Sequence, residues 1–256
     1  MPRIVLAVAI AIAAVRVSGA QIVSERNQHE ALQHYRAGEQ LLQAERFEDA
    51  EREFREAVKL DPLLHLAHYG LGHLFMLTKR FPLAVLSYTE AKEAFRTTAA
   101  QALQDHLVYE RQMDDQIRAL EDLKRAFDPN LRSSPGRPGG VDPNAALQRI
   151  DSQINQLRNQ RRRGPDRPAD IPAFITLALG SAYFRTDKIV DAEREYREAI
   201  RVEPNVGEAH NNLAVVLMLT RRYDDAEEEI RKAEKAGFRV NPQLKSDIKE
   251  RKKNPS

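Results

Sequence analysis

The chain contains no cysteine and no tryptophan among its 256 residues. The absence of cysteine excludes a disulfide framework, thiolate metal ligands and a cysteine nucleophile. There is also no excess of one charge, because 40 basic and 38 acidic residues leave a formal charge of +2. Nothing in that balance draws the chain to nucleic acid or to a membrane surface. The abundant residues are Ala, Leu, Glu, Arg and Gln, strong helix formers that favour an all-α protein.

One long apolar run is present, near the N-terminus. It covers residues 4–15, follows Arg3 and precedes the small residues Ser18-Gly19-Ala20. We therefore interpret residues 1–20 as a cleaved signal peptide, which predicts a periplasmic or secreted protein with no transmembrane segment in the mature chain. An uncleaved anchor is the alternative, although the run is shorter than the roughly 20 residues that span a bilayer. No cysteine follows it, so a bacterial lipid anchor is not available.

Four stretches of the chain repeat one pattern. They start at Ala31, His65, Ala173 and Gly207; the first two starts are 34 residues apart, and so are the last two. The eighth position is glycine or alanine, the twentieth and twenty-seventh are alanine, and the twenty-fourth is aromatic or branched. In the order of the stretches, these residues are Gly38, Gly72, Gly180 and Ala214; Ala50, Ala84, Ala192 and Ala226; Ala57, Ala91, Ala199 and Ala233; and Phe54, Tyr88, Tyr196 and Ile230.

Small residues at the eighth and twentieth positions let two antiparallel helices approach closely. Pro62 and Pro204 follow the second helix of the first and third stretches, where proline cannot continue a helix. This pattern and its period resemble the tetratricopeptide repeat (TPR) family. The resemblance implies an all-α solenoid of helical hairpins, with two units in residues 29–98. Residues 173–253 contain two further units and a polar C-terminal helix that caps the solenoid.

Residues 99–172 separate the two pairs of repeats. They contain two predicted helices joined by a Pro/Gly-rich linker at residues 128–143. The second helix carries a narrow apolar stripe of Leu147, Ile150, Ile154 and Leu157. The stripe can pack within the chain, on the other helix or on the repeats, or it can bind a second copy. We expect packing within the chain, and a homo-oligomer formed through this stripe is the alternative.

The resemblance also implies a concave groove lined by the first helix of each repeat. The residues predicted to contact a partner there are Tyr35, Glu39, Tyr69, His73, Met76, Phe174, Leu177, Phe184, Asn211 and Asn212. Related repeats often hold a peptide backbone with an asparagine at the position of Asn212, since its amide both donates and accepts. The apolar and aromatic middle of the groove favours an amphipathic helix or an apolar segment as the ligand. The same side chains could instead pack on neighbouring repeats.

The sequence predicts no catalytic residue, metal site or cofactor. His34, His68 and His210 share the fourth position of their repeats, which indicates packing rather than metal binding. A nucleophile elbow, a phosphate-binding loop and a dinucleotide motif are all absent. The arginine-rich run at residues 158–167 is interpreted as a solvated helix end, with an acidic partner or anionic lipid as the alternative.

These observations predict a non-enzymatic scaffold or adaptor of the cell envelope that binds a partner polypeptide in the groove. The alternative function is a self-associating structural envelope protein that dimerises through the insert helices. Nucleic acid is not an expected partner.

Overall fold

The computed structural model describes residues 24–126, 143–160, 164 and 166–253, and the regular structure within these ranges is entirely helical. The all-α prediction is therefore confirmed. The helices described are α1 (Glu25–Gln43), α2 (Phe47–Leu60), α3 (His65–Leu77), α4 (Phe81–Ala126), α5 (Pro143–Gln160), α6 (Ala173–Arg185), α7 (Ile189–Val202), α8 (Gly207–Leu219), α9 (Tyr223–Lys235) and α10 (Pro242–Lys253). The predicted signal peptide, nearly all of the predicted linker and Arg161, Arg162 and Arg163 lie outside the described residues.

Four helical hairpins form the body of the protein. They are α1 with α2, α3 with the first part of α4, α6 with α7, and α8 with α9. In the first three hairpins, the aromatic ring at the twenty-fourth position lies directly on the glycine at the eighth. A Cβ atom at Gly72 would lie 2.5 Å from the Tyr88 ring, and one at Gly38 would lie 2.7 Å from Phe54. Only glycine allows this approach, so the sequence pattern sets how closely the two helices pack.

The turn inside each hairpin has the same backbone geometry in all four repeats. Its central residue has a positive φ, between 56° and 63°. The residues are Glu45, Lys79, Asp187 and Arg221, each at the fifteenth position of its repeat. Left-handed backbone costs roughly 1–2 kcal/mol in a residue other than glycine. The turn keeps this geometry because the chain must reverse within three residues to bring the second helix onto the first.

Helix α4 does not end with its repeat but runs for 46 residues, a length of about 69 Å. The predicted boundary between the second repeat and the insert, at residues 98 and 99, lies inside this helix. The reason is visible in the sequence: the first and third repeats end at Pro62 and Pro204, whereas the corresponding residue in the second is Arg96. Without proline, nothing interrupts the backbone hydrogen bonds, and the helix continues into the insert.

Helix α5 packs antiparallel against the far part of α4. Ile150 and Ile154 are buried against Ile117, with Leu120 and Leu157 beside them. Ion pairs flank this small core, from Lys124 to Asp151 at 2.5 Å and from Arg158 to Glu121 at 3.0 Å. The stripe predicted on the second insert helix therefore packs within the chain, as expected. Oligomerisation through the same stripe stays a prediction.

The insert interrupts the chain but not the stack of repeats. Helix α6 packs on α4 as α3 packs on α2 and α8 on α7. Leu179 and Ala182 of α6 share one core with Leu71 and Tyr88 of the second repeat. The four repeats are thus consecutive neighbours in space, and the α4–α5 hairpin leaves the stack as a side arm.

The junction between the second and third repeats has its own electrostatic link. Elsewhere, an arginine of one repeat pairs with a glutamate of the repeat before it: Arg80 with Glu51, and Arg222 with Glu193, each at 2.6 Å. At the middle junction, the residue equivalent to Glu51 and Glu193 is Val85, so this pair cannot form. Instead, Lys92 of α4 lies 2.5 Å from Glu195 of α7, whose side chain is 2% exposed. Arg194 also reaches Glu195, at 3.3 Å.

Removing the buried carboxylate tests the middle junction. The substitution Glu195→Ala leaves Lys92 charged, largely buried and unpaired, and removing one partner of a buried pair costs about 3–5 kcal/mol. We expect a loss of that size in the free energy of unfolding, measured by urea denaturation. The double variant K92M/E195L should recover most of it. Glu93→Ala is the control, because Glu93 lies beside Lys92 on α4 at an exposed site. Its expected change is within about 0.5 kcal/mol. An equally small loss for Glu195→Ala would contradict this account.

Acid should weaken the other two junctions. Burial alone would raise the pKa of Glu51, but hydrogen bonds from Arg55 and Arg80 outweigh it and hold the pKa below the ordinary 4.5. The pKa of Glu193 is lowered in the same way by hydrogen bonds from Arg197 and Arg222, against the effect of burial. A carboxylate with a lowered folded pKa stabilises the protein above pH 4.5, and this stabilisation is lost as pH falls through the folded pKa.

Denaturation midpoints measured between about pH 6 and pH 3 test this linkage. The wild-type protein should lose stability over this range faster than the variant E51Q/E193Q, by about 0.2–1 kcal/mol for each pair. Parallel pH curves for the two proteins would show that these pairs contribute nothing.

Candidate functional site

The first helices α1, α3, α6 and α8 supply the surface on which the sequence predicts partner binding. We call it the groove face, and define it as the second, fifth, sixth, ninth, twelfth and thirteenth residues of those repeats. Several large apolar side chains on this face are exposed to solvent. Leu77 is 51% exposed, Leu219 is 46% and Phe174 is 41%. The face thus offers apolar surface that the fold itself does not bury.

Aromatic side chains on the groove face join neighbouring repeats. The Tyr69 ring meets Phe174 edge-on, with ring centroids 4.9 Å apart, and also lies 5.4 Å from Tyr88. Tyr35 contacts Phe54 at 6.0 Å. Tyr69 belongs to the second repeat and Phe174 to the third, so the contact between Tyr69 and Phe174 crosses the junction at which the insert separates the two repeats in sequence. Both predicted site residues at this junction therefore pack together, and part of the Phe174 ring stays exposed.

A pocket of about 150 Å³ opens on the same face. Met76 of α3, Phe184 of α6 and Asn212 of α8 line it, and all three were predicted from the sequence. The structure therefore brings together predicted residues from three successive repeats. The remaining lining residues are Ser181, Arg185, Tyr196 and Val215.

The other predicted residues fall into two groups. Glu39 and His73 are exposed on the groove face. Leu177 is half-buried and packs beneath the face against the cores of the third and fourth repeats. Asn211 is also half-buried, and its amide donates to Oδ1 of Asn212 at 3.2 Å. Leu177 and Asn211 thus support the face or its pocket, whereas Glu39 and His73 are available to a partner.

Burial and nearby carboxylates raise the pKa values of tyrosines on the groove face and at its pocket. Burial, together with a hydrogen bond to Glu39, raises the pKa of Tyr35 well above its usual value. Burial raises the pKa of Tyr69, and the nearby charges of Glu208 and Glu39 raise it further. Burial and the charge of Glu208 also raise the pKa of Tyr196, against a hydrogen bond to Ser181 that lowers it. The charge of Glu208 thus acts on Tyr69 and on Tyr196, and Tyr196 lines the pocket.

Two features of this site were not selected from the sequence. Glu208 and Val215 occupy groove positions, the second and ninth of their repeat, but were not named as contact residues. Tyr196 was assigned to packing, yet its hydroxyl lies 3.4 Å from Ser181 Oγ at the pocket. The sequence does carry a signal for this contact. The first repeat has Phe54 at the equivalent position, so packing there does not require the hydroxyl of Tyr196.

Two of the three repeated histidines, His68 and His210, hold neighbouring repeats together. Nδ1 of His68 lies 3.1 Å from Glu90, and its Nε2 lies 2.9 Å from the carbonyl of Pro62. His210 makes the equivalent contacts with Glu229, at 2.5 Å, and the carbonyl of Pro204, at 2.9 Å. The predicted packing role is confirmed for these two rings, which tie the proline turn of one repeat to the next. In the described part of the chain, no three His, Asp or Glu side chains are grouped to hold a metal ion.

A continuous stack of helical hairpins with small residues at each helix contact defines a helical-repeat solenoid protein. The tetratricopeptide repeat model matches residues 35–105 and 177–238, slightly more than half of the chain. The protein belongs to the tetratricopeptide repeat family. The two matched regions correspond to the two predicted pairs of repeats, and the first extends into the continuous helix α4.

Solved structures of other repeat proteins resemble the chain at low sequence identity. PilF of Pseudomonas aeruginosa is 17% identical over 86% of this chain and 82% of its own, with a TM-score of 0.36. PilW, a type IV pilus biogenesis factor, is 14% identical over 88% and 86%, with a TM-score of 0.40. YrrB, described as having an unusual peptide-binding site, is 15% identical over 88% and 95%, with a TM-score of 0.30. Among curated proteins, none matches this chain.

Proposed function

We propose that this protein is an exported, non-enzymatic scaffold that binds a partner polypeptide on its groove face. The observation that carries the proposal is the pocket that Met76, Phe184 and Asn212 build from three successive repeats. Exposed Leu77, Phe174 and Leu219 extend the apolar surface over the same repeats. Repeat proteins use such extended faces to bind other proteins.

The size of the pocket favours a polypeptide over a small molecule. Sites for small molecules usually enclose roughly 300–1,000 Å³, twice or more the volume of this pocket. An amphipathic helix or an apolar segment can place one side chain in it and cover the surrounding apolar surface. The amide of Asn212 offers a donor and an acceptor at the edge of the same pocket.

The chemistry of the groove face supports a binding role rather than catalysis. Its shifted titratable groups are tyrosines whose pKa is raised by burial, as at Tyr35 and Tyr69. A raised pKa leaves still less phenolate near neutral pH, so less of it is available to accept a proton. His68 and His210, at the fourth position of their repeats, are occupied by hydrogen bonds between repeats.

Export is the part of the proposal that rests on residues 1–20, the predicted signal peptide. A mature chain starting at Gln21 would work in the periplasm or outside the cell. In the described ranges, the helices lack the combination of length and apolar character that a membrane span requires. The alternative function, self-association through the insert, has less support because Ile150 and Ile154 are already covered by α4.

Processing of the N-terminus tests the export proposal. We expect the protein recovered from the producing cell to begin at Gln21, as determined by N-terminal sequencing or intact mass. Replacing the small residue before the cut, Ala20→Arg, should block cleavage. A protein that keeps residues 1–20 and remains with the membrane would instead support the uncleaved anchor.

Site-specific photo-crosslinking in the native host tests the binding proposal. A photoreactive residue is placed in turn at Tyr69, Met76, Phe184 and Asn212, and the adducts are identified by mass spectrometry. We expect one polypeptide partner at several of these sites, because they line one continuous surface. Glu228, an exposed residue of α9 outside the groove face, is the matched control and should not capture it.

The outcomes separate the competing functions. Capture of a second copy of the chain at the groove sites would support self-association instead. No adduct at any groove site, with a normal yield at Glu228, would contradict partner binding on this face.

A further inference from the structure

The turns of the second, third and fourth hairpins lie along one edge of the stack. The guanidinium of Arg185, at the end of α6, lies over the Phe81 ring at the start of α4, 4.6 Å from the ring centroid. Arg222, in the turn of the fourth repeat, pairs with Glu193 near the start of α7. These contacts place the three turns side by side. We call this surface the turn edge and define it as residues 76–83, 184–191 and 218–225.

Large apolar side chains are exposed on the turn edge. Val190 is 79% exposed, Leu219 is 46% and Leu83 is 36%. Leu77 is exposed beside them. Leu77 and Leu219 also belong to the groove face, whereas Leu83 and Val190 do not. The turn edge therefore carries apolar surface that neither the fold nor the groove accounts for.

The exposed apolar residues at the start of α4 and α7 depart from the repeat pattern. In the first and fourth repeats, the eighteenth and nineteenth positions are acidic: Glu48, Asp49, Asp224 and Asp225. An acid in the first turn of a helix is favourable, because it lies at the positive end of the helix dipole. The second repeat has Pro82 and Leu83 instead, and the third has Val190 before Asp191. Since these residues forgo that stabilisation and stay exposed, they point to contact with another surface.

Basic residues lie between these apolar side chains. Four of them are exposed and form no ion pair with a described residue: Lys79, Arg185, Lys188 and Arg221. The carboxylates of the turn edge are mostly neutralised within the fold, because Asp191 pairs with Arg194, Asp224 with Lys252 and Asp225 with Arg222. Asp187 is the exception among the described ion pairs. The near-neutral total charge of the chain thus conceals a local excess of positive charge.

We propose that the turn edge docks on the surface of an anionic lipid bilayer. The unpaired cations meet the headgroups, while Leu83 and Val190 reach the apolar boundary beneath them. Long basic side chains suit this arrangement, since their stems lie on apolar surface and their charges stay in water. The excess of positive charge selects an anionic surface over a neutral one.

This inference goes beyond the proposed function and does not depend on it. Tyr69 and Phe174 lie near the beginnings of α3 and α6, whereas the turn edge contains the ends of these helices. A chain docked by its turn edge therefore keeps this part of the groove face open to a polypeptide.

A single fluorescent label tests the contact locally. The chain has no cysteine, so Leu219→Cys provides one attachment site for an environment-sensitive fluorophore on the turn edge. The protein recovered from the producing cell is titrated with vesicles of phosphatidylcholine alone or mixed equally with phosphatidylglycerol. We expect a saturable blue shift with the anionic vesicles only, reversed at about 1 M salt, where the screening length falls to about 3 Å. Because the readout is local, retention of residues 1–20 does not imitate it.

The matched control places the same label at Lys235→Cys. Lys235 ends α9 as Leu219 ends α8. The two helices of a hairpin are antiparallel, so these residues lie at opposite edges of one repeat. We expect no blue shift from the label at position 235.

Substitution of two cations tests the role of charge in the protein labelled at position 219. K79Q/K188Q should weaken the contact about 25-fold, since each cation near an anionic surface contributes about fivefold. The control K59Q/R118Q makes the same change in net charge at exposed sites on the end of α2 and on the side arm. Its effect should stay within about twofold, because charges beyond a screening length of the surface contribute little.

Substitution of two apolar residues tests insertion in the same labelled protein. L83Q/V190Q should weaken the contact about tenfold by removing apolar surface that is withdrawn from water on docking. Both residues are exposed and lie outside the groove face, so partner binding at Tyr69 or Phe184 should not change. Thermal unfolding checks that the variant keeps its fold.

Four results would overturn the inference. They are no blue shift at position 219, an equal shift at position 235, an equal shift with neutral vesicles, or a K79Q/K188Q variant that binds as well as its control. Displacement of the vesicles by soluble polyglutamate at a lower charge concentration would assign the turn edge to an acidic polypeptide instead. A blue shift that grows with protein concentration without vesicles would assign it to a second copy of the chain. Crosslinking on the groove face is unaffected by any of these outcomes, so the two proposals fail separately.

Discussion

The structure depends on one packing contact, an aromatic ring pressed on a glycine where the two helices of a hairpin meet. Phe54, Tyr88 and Tyr196 each occupy the space that a Cβ atom of Gly38, Gly72 or Gly180 would need. This contact sets the spacing of the helices, and therefore which residues of the first helix point away from its partner. Those outward residues form the groove face. The fourth hairpin uses Ala214 and Ile230 in the same roles, both buried.

The middle junction shows how the stack tolerates a long insertion. Lys92 and Glu195 are separated by 103 residues in sequence yet form a buried ion pair. Across the same junction, Leu179 and Ala182 complete the core of the second repeat. The insert takes the chain away along α4 and returns it along α5, and Asp170 then pairs with Arg201 at 2.8 Å as the chain re-enters the stack. Because the third repeat returns to the place where the next repeat would stand, Met76, Phe184 and Asn212 can share one pocket.

Much of this fold was predictable from the sequence, because the repeat positions are strongly constrained. Glycine and alanine are required where helices touch, and proline marks where helices end, so the hairpins follow from the spacing alone. The groove positions follow from the same register, which is why the sequence identifies Met76, Phe184 and Asn212 as groove residues. The continuity of the stack was not predictable, since no periodic pattern links residues on opposite sides of the insert. Val215 stood at a predicted groove position but was not selected as a contact residue, since its place in the pocket depends on residues of other repeats.

The central claim is that the second and third repeats are direct neighbours, which places one continuous binding surface across the insert. The most direct measurement replaces Phe174 with a benzophenone-bearing phenylalanine and maps intramolecular crosslinks by mass spectrometry. Phe174 is partly exposed, and its ring lies 4.9 Å from that of Tyr69. The account predicts adducts with the segment of α3 that contains Tyr69. Adducts confined to the insert helices, with none in α3, would contradict a continuous stack and the binding surface built on it.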